Sequence, residues 1–373
     1  MTNRFLDLAA PGLHGLRPYQ PGKPVAELER EYGVIDIVKL ASNENPLGPS
    51  SRVLTAISEA AADLPRYPDA NGFELKQALA ARHGLPAACI TLGNGSNDVL
   101  ALLAEAFLQP GREAVYSRHA FAVYSLVVQA TGATHRVAAA HPAGHAQPYG
   151  HDLDAMAAFV GPATRLVFIA NPNNPTGTWL DAERLEAFIQ ALPEHVIVVV
   201  DEAYFEYVDA PAYPDTSQWV ARFPNLVVTR TFSKAYGLAG LRIGYALSGS
   251  DIADLLNRIR QPFNTSSIAQ AAALAALEDV DHLARSVALN AVEMARVAEA
   301  CERLGLGVVP SAGNFLLVDM HRPAQPLFEA LLHEGVIVRP VANYELPDHL
   351  RISIGTEQEN DRLVTALARV IGA

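Results

Sequence analysis

The sequence predicts an α/β protein. A large domain, with a mostly parallel sheet covered by helices on both faces, is joined to a smaller α+β domain from the N-terminal arm and the C-terminal part. Three observations predict it. The runs RLVFIA (165–170), VIVVV (196–200) and the stretch from Leu226 to Thr229 are apolar almost throughout. Strands of that kind are buried on both faces, as in a parallel sheet. Stretches of helical periodicity separate them, so strand and helix alternate. Past about residue 285 the pattern shifts to short strands with fewer helices, the mark of a second, smaller lobe. The expected division is 1–45 (arm and part of the small domain), 46–284 (large domain) and 285–373 (C-terminal small domain).

Each element follows from its residues. Residues 1–30 are rich in proline and glycine with little periodicity, and Leu16-Arg17-Pro18-Tyr19 reads as an extended arm because Pro18 and Pro21 oppose helix. A short strand at 36–42 leads into Asn43-Glu44-Asn45-Pro46-Leu47-Gly48-Pro49, a loop of turn formers. Ser50 or Ser51 can cap a helix over 53–63. Pro65 and Pro68 then break the chain and expose Tyr67. A helix over 72–83 carries Leu75, Leu79 and Ala80 on one face and stops at Gly84. The strand at 90–92 runs into Gly93-Asn94-Gly95-Ser96-Asn97-Asp98 and a helix to 108. There Ser96 or Asn97 either caps the helix or, with its free N–H groups and positive dipole end, helps hold a phosphate.

A strand at 113–116 and a helix ending near 131 precede a polar loop at 141–151, and a helix near 152–160 follows. The strand 165–170 ends in NPNNPTG, and a helix spans 183–191. The strand 196–200 ends at Asp201-Glu202-Ala203-Tyr204, and a further helical stretch leads to the strand at Leu226. Helices at 251–260, 267–277 and 282–304 close the large unit. Strands at 308–309, 315–318, 336–339 and 351–354, with helices at 326–334 and 357–371, make the smaller one.

Composition narrows the function classes. The chain has 373 residues, 50% hydrophobic and 18% charged, with a net charge of −12 and no basic run. Nucleic-acid binding through phosphates needs clustered cations, and none are present. No uninterrupted apolar run approaches ~18 residues, so no membrane-spanning helix is expected. The first twenty residues include Arg4, Asp7, Pro11 and Pro18, which do not make a secretory signal. Cys89 and Cys301 are the only cysteines, a usage that fits a reducing compartment and a cytoplasmic protein. His141, His145 and His151 lack regular spacing and read as solvated rather than as a metal set.

The chemistry gathers at strand ends. In open parallel sheets ligands bind beyond the carboxyl ends of the strands. Asn174, Asp201 and Lys234 each follow such an end, so topology alone brings three polar groups to one rim. A lysine buried among apolar and small residues loses its charge easily and becomes a nucleophile able to form a Schiff base. Arg242, eight residues further on, offers a fork of donors to an anion.

Eight stretches occurring in order between about residues 36 and 356 carry a resemblance: KLASNENPLG, RYPDANG, GNGSND, NPNNPTG, VDEAY, TFSKAYGLAGLRIGY, AGNFLLV and LRISIGT. The chain resembles the fold-type I aminotransferases that use pyridoxal 5′-phosphate and, within them, the histidinol-phosphate aminotransferases. The resemblance implies that Lys234 is the Schiff-base lysine and proton carrier, and that Asp201 pairs with the pyridine nitrogen. It implies that Asn174 and Tyr204 donate to the phenolate oxygen. Phe121 stacks on the ring, and Ser96, Asn97, Ser233 and Arg242 hold the phosphate. Tyr67 resembles the tyrosine that reaches the phosphate of a neighbouring subunit, which implies a homodimer with shared sites. Arg351 resembles the arginine on the substrate's anionic group, Arg339 a second phosphate contact, and Tyr19 and Asn43 line the substrate site. Two departures stand out: Ser117-Arg118-His119-Ala120 precedes Phe121 where many relatives have a proline turn, and Asn97-Asp98 is often Asp-Glu.

The implied reaction exchanges an amino group between glutamate and imidazole-acetol phosphate in histidine biosynthesis, with small-molecule substrates and no metal. Aromatic amino acid transamination and decarboxylation of a phosphorylated amino acid share this machinery. A non-catalytic cofactor-binding regulatory module would carry a DNA-binding domain ahead of this fold, whereas the recognisable part here begins within the first forty residues.

Overall fold

The computed structural model describes residues 4–19 and 22–372. Pro21, named above as opposing helix, lies outside them. The arm is more structured than its composition suggests. Two 3-10 turns (Leu6–Leu8 and Pro11–Leu13) precede α1 (Val25–Tyr32), which begins after Pro24 and ends on Gly33 at φ +66°. Its Leu28 is buried with Ala41, Leu332 and Ile337, so tertiary contact rather than propensity supports this short helix. The strand expected at 36–42 is only β1 (Val38–Lys39). Next come α2 (Ser51–Ala61), capped by the Ser50 side chain, and α3 (Phe73–His83).

The central sheet contains β2 (Ile90–Gly93), β3 (Glu113–Ser117), β4 (Thr134–Ala138), β5 (Thr164–Ala170), β6 (Ile197–Asp201), β7 (Leu226–Thr231) and β8 (Gly244–Ser248). Their spatial order is β2-β8-β7-β6-β5-β3-β4. The helices between them are α4 (Ser96–Phe107), α5 (Ala122–Ala130), α6 (Leu153–Ala157) and α7 (Ala182–Ala191). In the central strands β5, β6 and β7, side chains alternate between two covered faces. Val167, Ile169, Val198, Val200 and Val228 pack toward α2, α3 and α7, whereas Leu166, Phe168, Val199 and Val227 pack toward α4 and α5.

The local readings needed several corrections. Strand β4 went unread because only Ala138 of its five residues is fully buried, so it lacks an apolar run. Strand β8 also went unread. It lies antiparallel between β7 and β2, with Thr231 opposite Gly244. Residues 232–243, including Lys234, are therefore the loop of a long hairpin. The helical stretch expected between 201 and 226 is two 3-10 turns, Phe205–Tyr207 and Thr216–Trp219. The expected helix over 152–160 ends at Ala157.

After α8 (Ser250–Ile259), α9 (Ser267–Glu278) and the long α10 (Val280–Arg303), the chain forms a second sheet. It contains β9 (Gly307–Val309), β10 (Phe315–Asp319), β12 (Arg339–Val341) and β13 (Leu346–Ser353), in the order β12-β13-β10-β9. The strand expected at 336–339 divides between two sheets. Its first part, β11 (Val336–Ile337), pairs with β1, and its last residue, Arg339, begins β12. Helices α11 (Ala324–His333) and α12 (Glu357–Gly372) cover this lobe around a core including Leu316, Leu331, Ile352 and Leu363.

Candidate active site

Thirteen of the fourteen residues singled out above line one cavity of about 410 Å³ at the carboxyl ends of β5, β6 and β7. The exception is Tyr67, which is 81% exposed and stacks on Phe263 with ring centroids 4.6 Å apart.

Lys234 lies in the loop between β7 and β8. The β7–β8 hairpin holds its loop at both ends, so the lysine is fixed by a rigid sheet. Nζ donates to the Ser42 carbonyl at 3.2 Å and lies 5.6 Å from the centre of the Tyr204 ring. Burial lowers its pKa to about 7, and the positive charges of Arg351 and Arg242 push it the same way. Near neutral pH much of this amine carries no proton and is nucleophilic.

Asp201 ends β6, and alternation along the strand sends it and Glu202 to opposite sides. Both Asp201 oxygens are engaged: Thr229 Oγ1 donates to Oδ1 at 3.0 Å and the Tyr124 hydroxyl to Oδ2 at 3.1 Å. Burial raises the carboxyl to about 6, and these two donors oppose the shift. Glu202 instead accepts from Arg230 Nε at 3.0 Å and Nη2 at 2.7 Å. That buried pair is structural and keeps the neighbouring charge away from the cavity.

Tyr204 reaches the same cavity, but not through the helical turn that its spacing from Asp201 suggests. The backbone from 202 to 204 is an irregular turn after the strand. The Tyr204 hydroxyl accepts from Asn43 Nδ2 at 2.9 Å, which leaves its own hydrogen to donate. Asn43, at φ +55°, is held in turn by Ser353 Oγ, which donates to its Oδ1 at 2.8 Å. Asn174 Oδ1 accepts from Arg351 Nη1 at 2.6 Å, so its amide N–H group faces elsewhere.

One side of the cavity is built to receive an anion. The first turn of α4 presents backbone N–H groups with no side-chain cap at Gly95. Ser96 is buried there and Asn97 is exposed. Ser233 Oγ accepts from Thr231 Oγ1 at 2.9 Å and lies 3.4 Å from Arg242 Nη1. Two glycines make this approach close. A Cβ on Gly95, at φ +81°, would come within 2.5 Å of Arg242 Nη2, and one on Gly244 within 2.5 Å of the Ser96 nitrogen.

A second cationic group comes from the small sheet. Arg339 and Arg351 lie directly opposite each other on β12 and β13. Arg351 is buried. Its Nη2 donates to the Ala41 carbonyl at 2.5 Å, and its Nε has no protein partner. The Arg339 guanidinium lies 5.9 Å from the Tyr19 ring centre.

Sequence reasoning missed Tyr124, Thr229 and Thr231 at this site. Tyr124 and Thr229 lie outside the quoted motifs, and Thr231, which opens TFSKAYGLAGLRIGY, is given no role by that motif's spacing. It also misread the histidine loop. His151 is buried with Nε2 2.9 Å from the Ala170 carbonyl, and His141 stacks on His145 at 3.8 Å with Asp152 4.0 Å away. Among the described residues no group of three or more metal-ligating side chains is placed to hold an ion.

Comparison with known proteins gives the family. Residues 35–367 match the family model described as aminotransferase class I and II. Histidinol-phosphate aminotransferase 2 of Methylococcus capsulatus is 57% identical over 364 residues, covering 98% of each chain. The protein of the same name from Pseudomonas aeruginosa is 57% identical over 369 residues, again covering 98% of each. The crystal structure of histidinol-phosphate aminotransferase from Sinorhizobium meliloti in complex with pyridoxal-5′-phosphate is 35% identical. It superimposes with a TM-score of 0.89, covering 100% of this chain and 98% of that one. With its fold, the rim on which its polar residues meet and these full-length likenesses in agreement, the chain belongs to the class I and II aminotransferases.

Proposed function

We propose that this chain converts histidinol phosphate and 2-oxoglutarate to imidazole-acetol phosphate and glutamate, reversibly, with pyridoxal 5′-phosphate, as a step of L-histidine biosynthesis. The observation that carries this reading is one cavity holding a half-buried lysine amine near pKa 7 and a buried carboxyl near 6, between two separate cationic groups. The names and full-length identity of the relatives support the substrate.

The residues present fit the cofactor. The glycine-backed cradle of α4, Ser233 and Arg242 suits its phosphate, and any side chain at Gly95 or Gly244 would close it. When bound, pyridoxal phosphate supplies an electron sink for negative charge at the substrate's α-carbon. Lys234 Nζ, neutral above about pH 7, would bind the cofactor's aldehyde and would be the base that moves the proton at the substrate's α-carbon. Asp201 offers its carboxylate to the pyridine nitrogen and keeps that nitrogen protonated. Tyr204, with its hydrogen left free by Asn43, and Asn174, turned by Arg351, donate to the phenolate oxygen. Phe121 covers the ring face, and Ser96 and Asn97 complete the phosphate contacts. Arg351 Nε, buried and without a protein partner, points to an anionic substrate group, with Arg339, Tyr19 and Asn43 beside it.

The same reading makes the protein a homodimer in which Tyr67 serves the neighbouring site, since its exposed ring does not line its own cavity. Two free cysteines suit the cytoplasm. The division at 1–45, 46–284 and 285–373 is supported by the seven-stranded sheet lying within the second part and the four-stranded sheet within the third, although α10 crosses the second boundary.

The deciding measurement compares amino acceptors with glutamate as donor. Imidazole-acetol phosphate should outperform phenylpyruvate in kcat/KM. The opposite ranking would make this an aromatic amino acid transaminase.

A further inference from the structure

Tyr124 lies outside every motif, yet it touches two of the residues proposed to hold the cofactor ring. It is fully buried in the first turn of α5, three residues after Phe121, which is the N-cap of that helix. Its hydroxyl donates to Asp201 Oδ2 at 3.1 Å. Its ring meets Phe121 edge to face, with centroids 5.8 Å apart at 90°, stacks flat on Phe168 at 4.8 Å and 11°, and lies tilted against Tyr116 at 6.4 Å. Phe168 lies on β5, next to β6, which carries Asp201. One rigid side chain, clamped to the sheet by Phe168, thus sets both Phe121 and the Asp201 carboxylate.

We propose that Tyr124 is a positioning residue for the transamination proposed above, holding Phe121 and Asp201 in one fixed relation and using its hydroxyl to keep Asp201 ionised. A donor on the carboxylate stabilises the anion and makes Asp201 less basic. A less basic Asp201 leaves the proton on the ring nitrogen, where it strengthens the electron sink. Without the hydroxyl the proton moves toward Asp201, and the ring draws less electron density from Lys234 Nζ, which then holds its own proton to higher pH. The groups facing this pair are few. Thr229 donates to the other Asp201 oxygen, and the titratable neighbours of Asp201 or Tyr124 are Lys234, Tyr204, Tyr344 and Tyr116, whose ring lies 6.4 Å from that of Tyr124. Of these only Lys234 is a cation when protonated, and the others are phenols. Burial and the adjacent carboxylate hold the Tyr124 phenol well above its usual range, so it remains a donor at working pH.

The test is Tyr124→Phe in the holoenzyme, which keeps the ring contacts and removes only the hydroxyl. The pH midpoint of the bound cofactor's visible band should move up by roughly half a unit or more. Turnover should fall about tenfold with the KM for the amino donor nearly unchanged. A purely structural role would lower the melting temperature and leave the midpoint in place, and that result overturns the proposal. If the variant does not fold, ring-fluorinated tyrosine at position 124 keeps the shape and donates more strongly, so the midpoint must move down. No movement there also overturns it. The wild-type spectrum keeps the two readings apart. If the wild-type protein forms no borohydride-fixable complex with pyridoxal phosphate, the transaminase reading fails. If it forms one and Tyr124→Phe matches it in midpoint and turnover, only the positioning role fails.

Discussion

The two central ionisable groups have opposite shifts, and each makes a separate prediction. Lys234 is lowered from 10.5 to about 7, so its neutral form predominates above pH 7 rather than above 10.5. Capture of pyridoxal phosphate by the apoprotein, followed by stopped-flow absorbance, should speed up through a midpoint near pH 7. A rate still climbing beyond pH 9 would show that the amine is not depressed. Lys234→Ala should bind the cofactor without a borohydride-reducible linkage. Asp201 is raised from 3.8 to about 6. A group raised in the folded state adds stability at low pH and loses it as pH rises through the folded value. The apoprotein should therefore lose about 2 kcal/mol from this group between pH 4 and 7, before any offset elsewhere. Asp201→Asn should melt higher than wild type at pH 8 as apoprotein, yet turn over at least ~100-fold more slowly as holoenzyme, as loss of one preorganised electrostatic contact at the reacting centre predicts. Near-normal turnover would remove Asp201 from the pyridine nitrogen.

Among the elements, the β7–β8 hairpin and the start of α4 do the most. Thr231 opposite Gly244 fixes the hairpin, and Gly244 lets α4 begin directly against it. A Cβ at Gly244 would meet backbone on three sides: the Ser96 nitrogen, the Gly95 carbonyl carbon and the Arg230 oxygen, at 2.5, 2.8 and 2.9 Å. Backbone cannot rotate away, so Gly244→Ala should displace the anion cradle and raise the cofactor dissociation constant at least ~10-fold, the scale of about 1.4 kcal/mol. Unchanged affinity by fluorescence titration would show that the cradle tolerates the shift. Arg230 and Glu202, both buried, tie β7 to β6 beneath the site. Arg230→Leu would leave the buried Glu202 carboxylate with Thr216 as donor but without its cation, and should cost about 3–5 kcal/mol in denaturant unfolding. Much of this layer could be read from residues. Ser50 as a cap, Gly84 as a stop and the three apolar strands follow from local rules. Strand β8 did not, because a stretch beginning with glycine right after a functional loop lacks the strand signals that β5, β6 and β7 display.

At the scale of the whole molecule, two lobes enclose the cavity, and the proposed homodimer would complete it. Equal mixing of Lys234→Ala and Tyr67→Ala subunits should restore activity. Each mixed dimer would contain one site with a native lysine and a native tyrosine from its neighbour. Random pairing makes half the dimers mixed, each with one of two sites intact, so activity should reach about a quarter of wild type. Mixtures no more active than their parents would place Tyr67 outside the neighbouring site.

The sequence by itself determined the class of the fold and most of the rim. Strand ends, glycine turns and the lysine loop are written in neighbouring residues, and in a parallel sheet the carboxyl ends must share one edge. The tertiary structure alone decided which side chains meet across the chain. Tyr124 bonds to a residue 77 positions away, and Arg351 to one 310 positions away. It decided that Arg339 lies opposite Arg351, that His151 is buried and that Asp201 and Glu202 face opposite ways. These depend on register, burial and the crossing of distant strands. Such quantities arise from packing the whole chain, and no short window of residues contains them.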